Sequence, residues 1–421
     1  MRILIVSQYF WPENFRINDL ASSFIDKKHE VTVLTGLPNY PEGCLLPLYS
    51  ENPSEFSNYR GIKIVRVPHV LRGKNKLSLL LNYLTFFLNA SLLGPWKLRK
   101  NKYDVIFVFA VSPITMAIPA ILLGKLKRAP IFLWVQDLWP ETLSAVGVIK
   151  SRTMLNLIGI MVSWIYSQCD HVLIQSRAFF PSIKKYCAAA DEQGKVLFFP
   201  NWAEQVFTGS AVSSQHVISR DENVFTILFA GNLGEAQDFP SILDAAEKLK
   251  SNSRIRWVIV GDGRMFDYVS GEVVRRGLSG NVKLVGRFSV ETMPSFFDVA
   301  DVLLVTLKSD EIFSKTVPGK LQSYLAAGKP ILCMLDGEAR LLVSESGAGL
   351  SCAAGDSDHL AQLALRMSEL NKVELANMGE KGRNYYHLYF ERDKLMSKLE
   401  TYFRAAIARQ VISDDSSVDA A

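Results

Sequence analysis

A chain of 421 residues is long for one hydrophobic core and comfortable for two domains of about 200 residues each. With 48% hydrophobic and 21% charged residues it excludes a disordered chain or a polytopic membrane protein, and five scattered cysteines without a C-x2-C pair argue against a disulfide framework or a zinc site. The formal charge of +5 is uneven: Phe56 to Tyr103 holds ten basic residues, among them Arg72, Lys74, Lys76, Lys97, Arg99 and Lys100, and no acid, which implies an anionic partner for that stretch.

Ile3 to Val6 reads as a buried strand, followed by a polar turn and a helix from about Ile17 to Lys27. Loops leaving strand C-termini line the ligand crevice in open α/β sheets, so Gln8, Glu13, Asn14 and Arg16 are candidate site residues. Strands at 31–35 and 62–67 follow, with the proline-rich loop 37–43 between them. Leu77 to Leu93 is a helix whose polar members Asn82, Thr85 and Asn89 share one face while Leu and Phe cover most of the rest. Such a helix is either core or presented to lipid, and its basic flanks make both readings reasonable.

Strands at 105–109 and 131–135 flank a helix from about 114 to 126. Gln136-Asp137-Leu138-Trp139-Pro140-Glu141 then occupies a crevice-loop position, where Asp137 either faces a substrate or caps the next helix. Elements at 152–168, 171–174, 177–187 and 195–199 complete a first domain, 1–202, and the aperiodic 203–223 is expected to be a linker. At Phe225 the order of strand, polar loop and helix restarts, giving a second domain over 224–384.

Gly231-Asn232-Leu233-Gly234 offers a backbone that a ligand can approach closely, and Gly261-Asp262-Gly263 follows the next strand without the third glycine of a dinucleotide fingerprint. Phe313 to Leu332, FSKTVPGKLQSYLAAGKPIL, puts lysines on both sides of Pro318-Gly319 at a helix start. Free N–H groups, the helix dipole and those cations suit a phosphate there. A last helix is expected at 385–406, its aromatics Tyr385, Tyr386, Tyr389 and Phe390 packing at the interdomain junction, and a disordered tail at 407–421. Six scattered histidines and a lone D-x-D at Asp356 give no metal constellation.

Tyr324-Leu325-Ala326-Ala327-Gly328-Lys329-Pro330 together with Gly231-Asn232-Leu233-Gly234 resembles the sugar-donor half of retaining GT-B glycosyltransferases of family 4, and the D-L-W-P-E stretch at Asp137 resembles their WbuB-like branch in surface-polysaccharide assembly. The resemblance runs from Met1 to about Phe403. It implies two Rossmann-like α/β domains with parallel sheets facing an interdomain cleft, and a C-terminal helix crossing back to the first domain. It further implies metal-independent transfer without a cofactor, from a nucleotide-sugar donor, with an N-acetylated amino sugar such as N-acetylfucosamine as one candidate. The acceptor would be a polyprenyl-diphosphate-linked glycan, and nucleic acid is not an expected partner.

Two departures stand out. The paired glutamates of the family's E-x7-E signature fall at Lys315 and Ser323, and the Arg and Lys that hold the donor diphosphate fall at Asn232 and Gln237. Lys320 and Lys315 are therefore expected to supply the missing cations, with Asp137 positioning or deprotonating the acceptor. Gly231, Asn232, Gly234, Gln237, Gly263, Arg287, Phe288, Pro318, Gly319 and Ser323 complete the expected donor side, with Arg287-Phe288 at the base. Glu13, Asn14, Arg16 and Glu141 form the expected acceptor side.

The absence of a signal-peptide pattern points to the cytoplasm, and the basic, apolar stretch points to peripheral docking on the anionic inner face of the membrane. A GT-B nucleotide-sugar epimerase, acting on donor alone, and a non-catalytic module that keeps the fold are the competing readings.

Overall fold

The computed structural model describes residues 1–73, 75–145, 147–208 and 220–418, with 76 and 411–418 described by backbone alone. The chain divides into two compact units, Met1–Phe199 with Asp393–Ala421, and Pro200–Arg392. Most of the expected linker lies outside the described residues; of the rest, Ala203 and Phe207 are core residues of the second unit.

The first unit is built on an eight-stranded sheet of β1 (Arg2–Val6), β2 (Glu30–Thr35), β3 (Asn58–Tyr59), β4 (Ile62–Arg66), β5 (Val105–Ala110), β6 (Ile131–Val135), β7 (His171–Ile174) and β8 (Val196–Phe198), in the order β3-β4-β2-β1-β5-β6-β7-β8. All pairings are parallel except β3 with β4. The central strands read RILIV, VIFVFA and IFLWV because helices cover both faces of a parallel sheet and leave no polar side. Those helices are α1 (Arg16–Asp26), α2 (Pro47–Glu51), α3 (Lys76–Lys97), α4 (Ala117–Lys127), α5 (Glu141–Ala145), α6 (Arg152–Gln168) and α7 (Phe180–Tyr186).

The second unit repeats the design with six strands, β9 (Phe225–Ala230), β10 (Ile255–Val260), β11 (Val282–Gly286), β12 (Val302–Thr306), β13 (Ile331–Met334) and β14 (Gly349–Cys352), all parallel in the order β11-β10-β9-β12-β13-β14. Its helices are α8 (Phe239–Lys248), α9 (Phe266–Arg275), α10 (Met293–Val299), α11 (Glu311–Lys315), α12 (Gly319–Ala327), α13 (Glu338–Ser346), α14 (Ser357–Ser368) and α15 (Lys372–Tyr389). In each unit the first strand has neighbours on both sides, so the loops at its C-terminal end open where the strand order reverses, the usual ligand position in such sheets.

The C-terminus differs from expectation in two ways. No single helix spans 385–406: α15 ends at Tyr389 and α16 begins at Arg392 and continues to Val418. Tyr386 and Phe390 are buried in the second unit's core, whereas Phe403 on α16 packs against Phe24, Phe107 and Phe132 of the first. The aromatic series is thus core of one unit, with Tyr389 exposed. Residues expected to be a disordered tail continue the helix to Val418; 419–421 lie outside the described residues.

Candidate functional site

The donor-side candidates gather at the C-terminal ends of β9 and β10. Gly231 has φ 141° and Gly261 φ 141°, conformations that favour glycine. A Cβ on Gly261 would sit 1.8 Å from the Gly231 carbonyl oxygen, and one on Gly263 would sit 2.5 Å from that of Leu233. The loops interlock through Leu233 N–H to Asp262 O at 2.8 Å and Met265 N–H to Leu233 O at 2.9 Å. The result is an exposed rim at Gly231 and Asn232 with a rigid backbone beneath it.

Lys320, in the first turn of α12, reaches under this rim. Its Nζ lies 3.7 Å from the centroid of the Phe229 ring, and a Cβ added at Gly231 would come within 3.2 Å of it. The nitrogen is buried and has no hydrogen-bond partner among the described residues. Burial without a counter-charge pushes its pKa down to about 7. An orphaned ammonium beside a glycine rim and a helix N-terminus is a site prepared for an anion.

The other expected donor residues fall into distinct settings. Pro318 caps α12 and Gly319 opens it. Arg287 is exposed, and Phe288 packs edge-on against Phe296 at 4.9 Å. Gln237 folds back so that its Oε1 accepts from Gly234 N–H at 3.1 Å, a loop clamp where the resemblance implied a cation. Lys315 is not an orphan like Lys320: Glu311 pairs with it at 2.7 Å, because the two lie one turn apart on α11. Ser323, at the second lost glutamate, donates to Glu204 Oε2 at 3.1 Å, so a carboxylate from a different segment stands beside it. Nothing in the sequence spacing signalled Glu204.

In the first unit Asp137 is not a helix cap. Its Oδ2 accepts from Ser112 N–H at 2.9 Å and Ser112 Oγ at 2.8 Å, tying the β6 loop to the β5 loop, and burial raises its pKa. Its Oδ1 takes no hydrogen bond from the described residues. Glu13 is 3% exposed, and its carboxylate accepts from the backbone N–H groups of Asn39 at 2.8 Å, Tyr40 at 2.6 Å and Phe10 at 3.3 Å. Burial nevertheless pushes its pKa up to about 7. Expected as an acceptor contact, Glu13 is bonded to the backbone of the 37–43 loop and holds it in place. Asn14 is exposed, and Arg16 opens α1 half-buried. Glu141 opens α5 and approaches Lys185 at 3.8 Å.

The helix α3 has two unlike faces. Its polar stripe points inward: Asn82 Nδ2 donates to Val70 O and Asn89 Nδ2 to Pro68 O, each at 2.7 Å, and Val70 N–H donates to Thr85 Oγ1 at 2.9 Å. Asn82 Oδ1 also accepts from Gln8 Nε2 at 2.7 Å. Leu77, Leu80, Leu84, Leu88, Leu92 and Trp96 are left exposed. Phe86 and Ala90, fully buried, join the first unit's core, so α3 has one face in the core and a row of leucines outside it. Lys74 of the flanking patch lies outside the described residues.

The family model for glycosyl transferases group 1 matches residues 213–385. Among curated sequences, the chain is 27% identical over 344 residues, 78% of its length and 82% of the other's, to the protein of Escherichia coli (strain K12) named "Putative colanic acid biosynthesis glycosyl transferase WcaI". Among solved structures it resembles Anabaena HepE in complex with UDP, with TM-score 0.68 and 15% identity over 96% of this chain and 100% of that one. It also resembles WaaG, a glycosyltransferase involved in lipopolysaccharide biosynthesis, with TM-score 0.64 and 13% identity over 95% and 98%.

Proposed function

We propose that this chain, which matches the glycosyl transferases group 1 model at 213–385 and shares the fold of HepE and WaaG, is a glycosyltransferase that moves a sugar, with retention and without a metal ion, from a nucleotide sugar to a polyprenyl-diphosphate-linked acceptor at the inner membrane face, in surface-polysaccharide synthesis. The observation that carries the donor half is the orphaned Lys320 ammonium under the Gly231 rim.

In this reading the bond between the anomeric carbon and the diphosphate oxygen breaks, and the charge that develops on the leaving group is met by Lys320 and the N-terminus of α12. A bond forms from the acceptor hydroxyl to the anomeric carbon, and Asp137 orients that hydroxyl and takes its proton. Lys315 becomes a second cation only if the donor displaces Glu311. The acceptor half is supported by α3, which turns hydrogen-bonding groups inward and leucines outward, with Lys97, Arg99 and Lys100 at its end. A two-signal peripheral anchor needs both parts, and each cation that reaches anionic lipid contributes about 1 kcal/mol.

A melting-temperature panel with UDP-, GDP- and dTDP-sugars tests the donor, since the correct one stabilises by mass action. Turnover is then followed with a short-chain polyprenyl-diphosphate glycan. Donor consumption without acceptor would turn the reading toward an epimerase, and stabilisation by no nucleotide sugar would turn it toward a binding module.

A further inference from the structure

The inward stripe of α3 and the carboxylate of Glu13 converge on one segment, the exit of β4. Asn82, Thr85 and Asn89 fix Pro68 and Val70. Glu13 fixes the backbone of Asn39, whose side-chain Oδ1 accepts from Arg72 N–H at 2.9 Å. Gly43, at φ 80°, lies so close that a Cβ there would be 2.0 Å from the Arg72 carbonyl oxygen. The backbone at Arg72 is held from both sides although it belongs to a loop.

What this scaffold holds is a guanidinium with no carboxylate partner among the described residues. Its Nη1 donates to Tyr9 Oη at 3.3 Å, and its Cζ stands 5.2 Å from the centroid of the Tyr40 ring. Tyr9 is itself buried, stacked on Phe15 at 5.0 Å and tilted against Tyr40 at 5.4 Å. Tyr83, on α3, feels the charges of both Arg72 and Asp137, which places this cluster in the neighbourhood of the acceptor candidate. Burial raises the phenols of Tyr9 and Tyr83, so both keep their protons. The cluster therefore offers a cation, unused guanidinium N–H groups and phenol donors. The complementary ligand is an anion that only accepts, and the flat fork of arginine suits phosphate.

We propose that Arg72, hydrogen-bonded to the Tyr9 hydroxyl and with Tyr83 in its neighbourhood on α3, receives the phosphate headgroup of the acceptor, a polyprenyl phosphate or diphosphate whose chain lies along the outward leucines of α3. This deepens, and rests on, the transfer to a lipid-linked acceptor proposed above. One helix then does both jobs: its outer face meets the hydrocarbon, and its inner face holds the loop that carries the headgroup's counter-charge. Glu13 is a positioning residue for that loop.

The intact protein, saturated with UDP so that the unit 2 anion site is filled, is titrated with farnesyl diphosphate, inorganic pyrophosphate and farnesol. Farnesyl diphosphate is expected to bind roughly 10- to 100-fold more weakly to Arg72→Gln, the scale of a lost charge-assisted contact, with partial recovery in Arg72→Lys. Tyr83→Phe is expected to weaken binding a few-fold at an unchanged melting temperature, which keeps the test open should the arginine variants not fold. Pyrophosphate binding as tightly as farnesyl diphosphate overturns the lipid assignment, and farnesyl diphosphate binding indifferent to both Arg72→Gln and Tyr83→Phe overturns the site. If UDP does not bind, the nucleotide selected by the donor panel takes its place; if none binds, the donor reading fails separately, and the same titration in Lys320→Met still reads Arg72 alone.

Discussion

Lys320 is a buried cation with no partner among the described residues, and the sign of its effect is fixed by its pKa. The folded value of about 7 lies below the unfolded value near 10.5, so the native state binds fewer protons between those limits. Stability attributable to this group is fully present above the unfolded value and is lost as pH falls toward 7. Lys320→Met is expected to flatten that dependence in thermal melts of the ligand-free protein from pH 7 to 10, while lowering kcat/KM by roughly 2–4 kcal/mol in transition-state terms. A variant with full activity, or a melt profile parallel to the wild type's, refutes the role. UDP should likewise bind with proton uptake near pH 8, read from its heat in buffers of different ionisation enthalpy. Asp137 is the residue-scale counterpart in the first unit. Asn in its place can still accept from Ser112 N–H, so Asp137→Asn should cost little in melting temperature yet lower kcat at least tenfold; equal losses in both would reduce Asp137 to a loop tie.

Among the elements, α3 makes the sharpest prediction. Replacing Leu84 and Leu88 by Glu changes side chains that are 37% and 48% exposed and leaves the inward stripe intact. The fold should therefore melt normally while sedimentation with anionic vesicles at low salt falls at least tenfold, since each leucine returned to water forfeits about 1.5–3 kcal/mol of burial. Vesicle binding equal to the wild type's would mean that α3 meets something other than lipid.

This helix also marks the limit of what its sequence conveys. Periodicity identified α3 and the polar positions Asn82, Thr85 and Asn89, but not which stripe faces inward, because that depends on unpaired backbone groups at Pro68 and Val70 in a distant segment. The parallel strands were legible because apolar runs such as IFLWV have no other use. Short helices such as α9, α10 and α13 were not, their caps being weak. Lys320 could be singled out by its place at a helix start, whereas Glu204 and Arg72 gained their significance only through contacts across the fold: Ser323 in one case, Tyr9 and Tyr40 in the other.

For the molecule as a whole, the last helix is part of the first core. Phe403, fully buried, lies 4.7 Å from Phe132, 5.7 Å from Phe24 and 6.0 Å from Phe107, ring centre to ring centre. Phe403→Ala should cost about 3–5 kcal/mol, as for other large-to-small changes in a packed core, and urea unfolding should assign the loss to the first unit. A neutral result would make α16 a surface strut.

The chain leaves its first unit at Phe199 and returns only at Asp393. During synthesis the ribosome must therefore produce all of Pro200–Arg392 before the residue that fills the centre of the first core exists, an interval on the order of 10–40 s at about 5–20 residues per second. Throughout it, the nascent first unit displays a vacancy lined by Phe24, Phe107 and Phe132 alongside the bare leucines of α3. The second unit, contiguous in sequence, has no such wait. Order of synthesis and order of completion are thus reversed: the half made first is finished last, and that half carries the exposed leucines of α3.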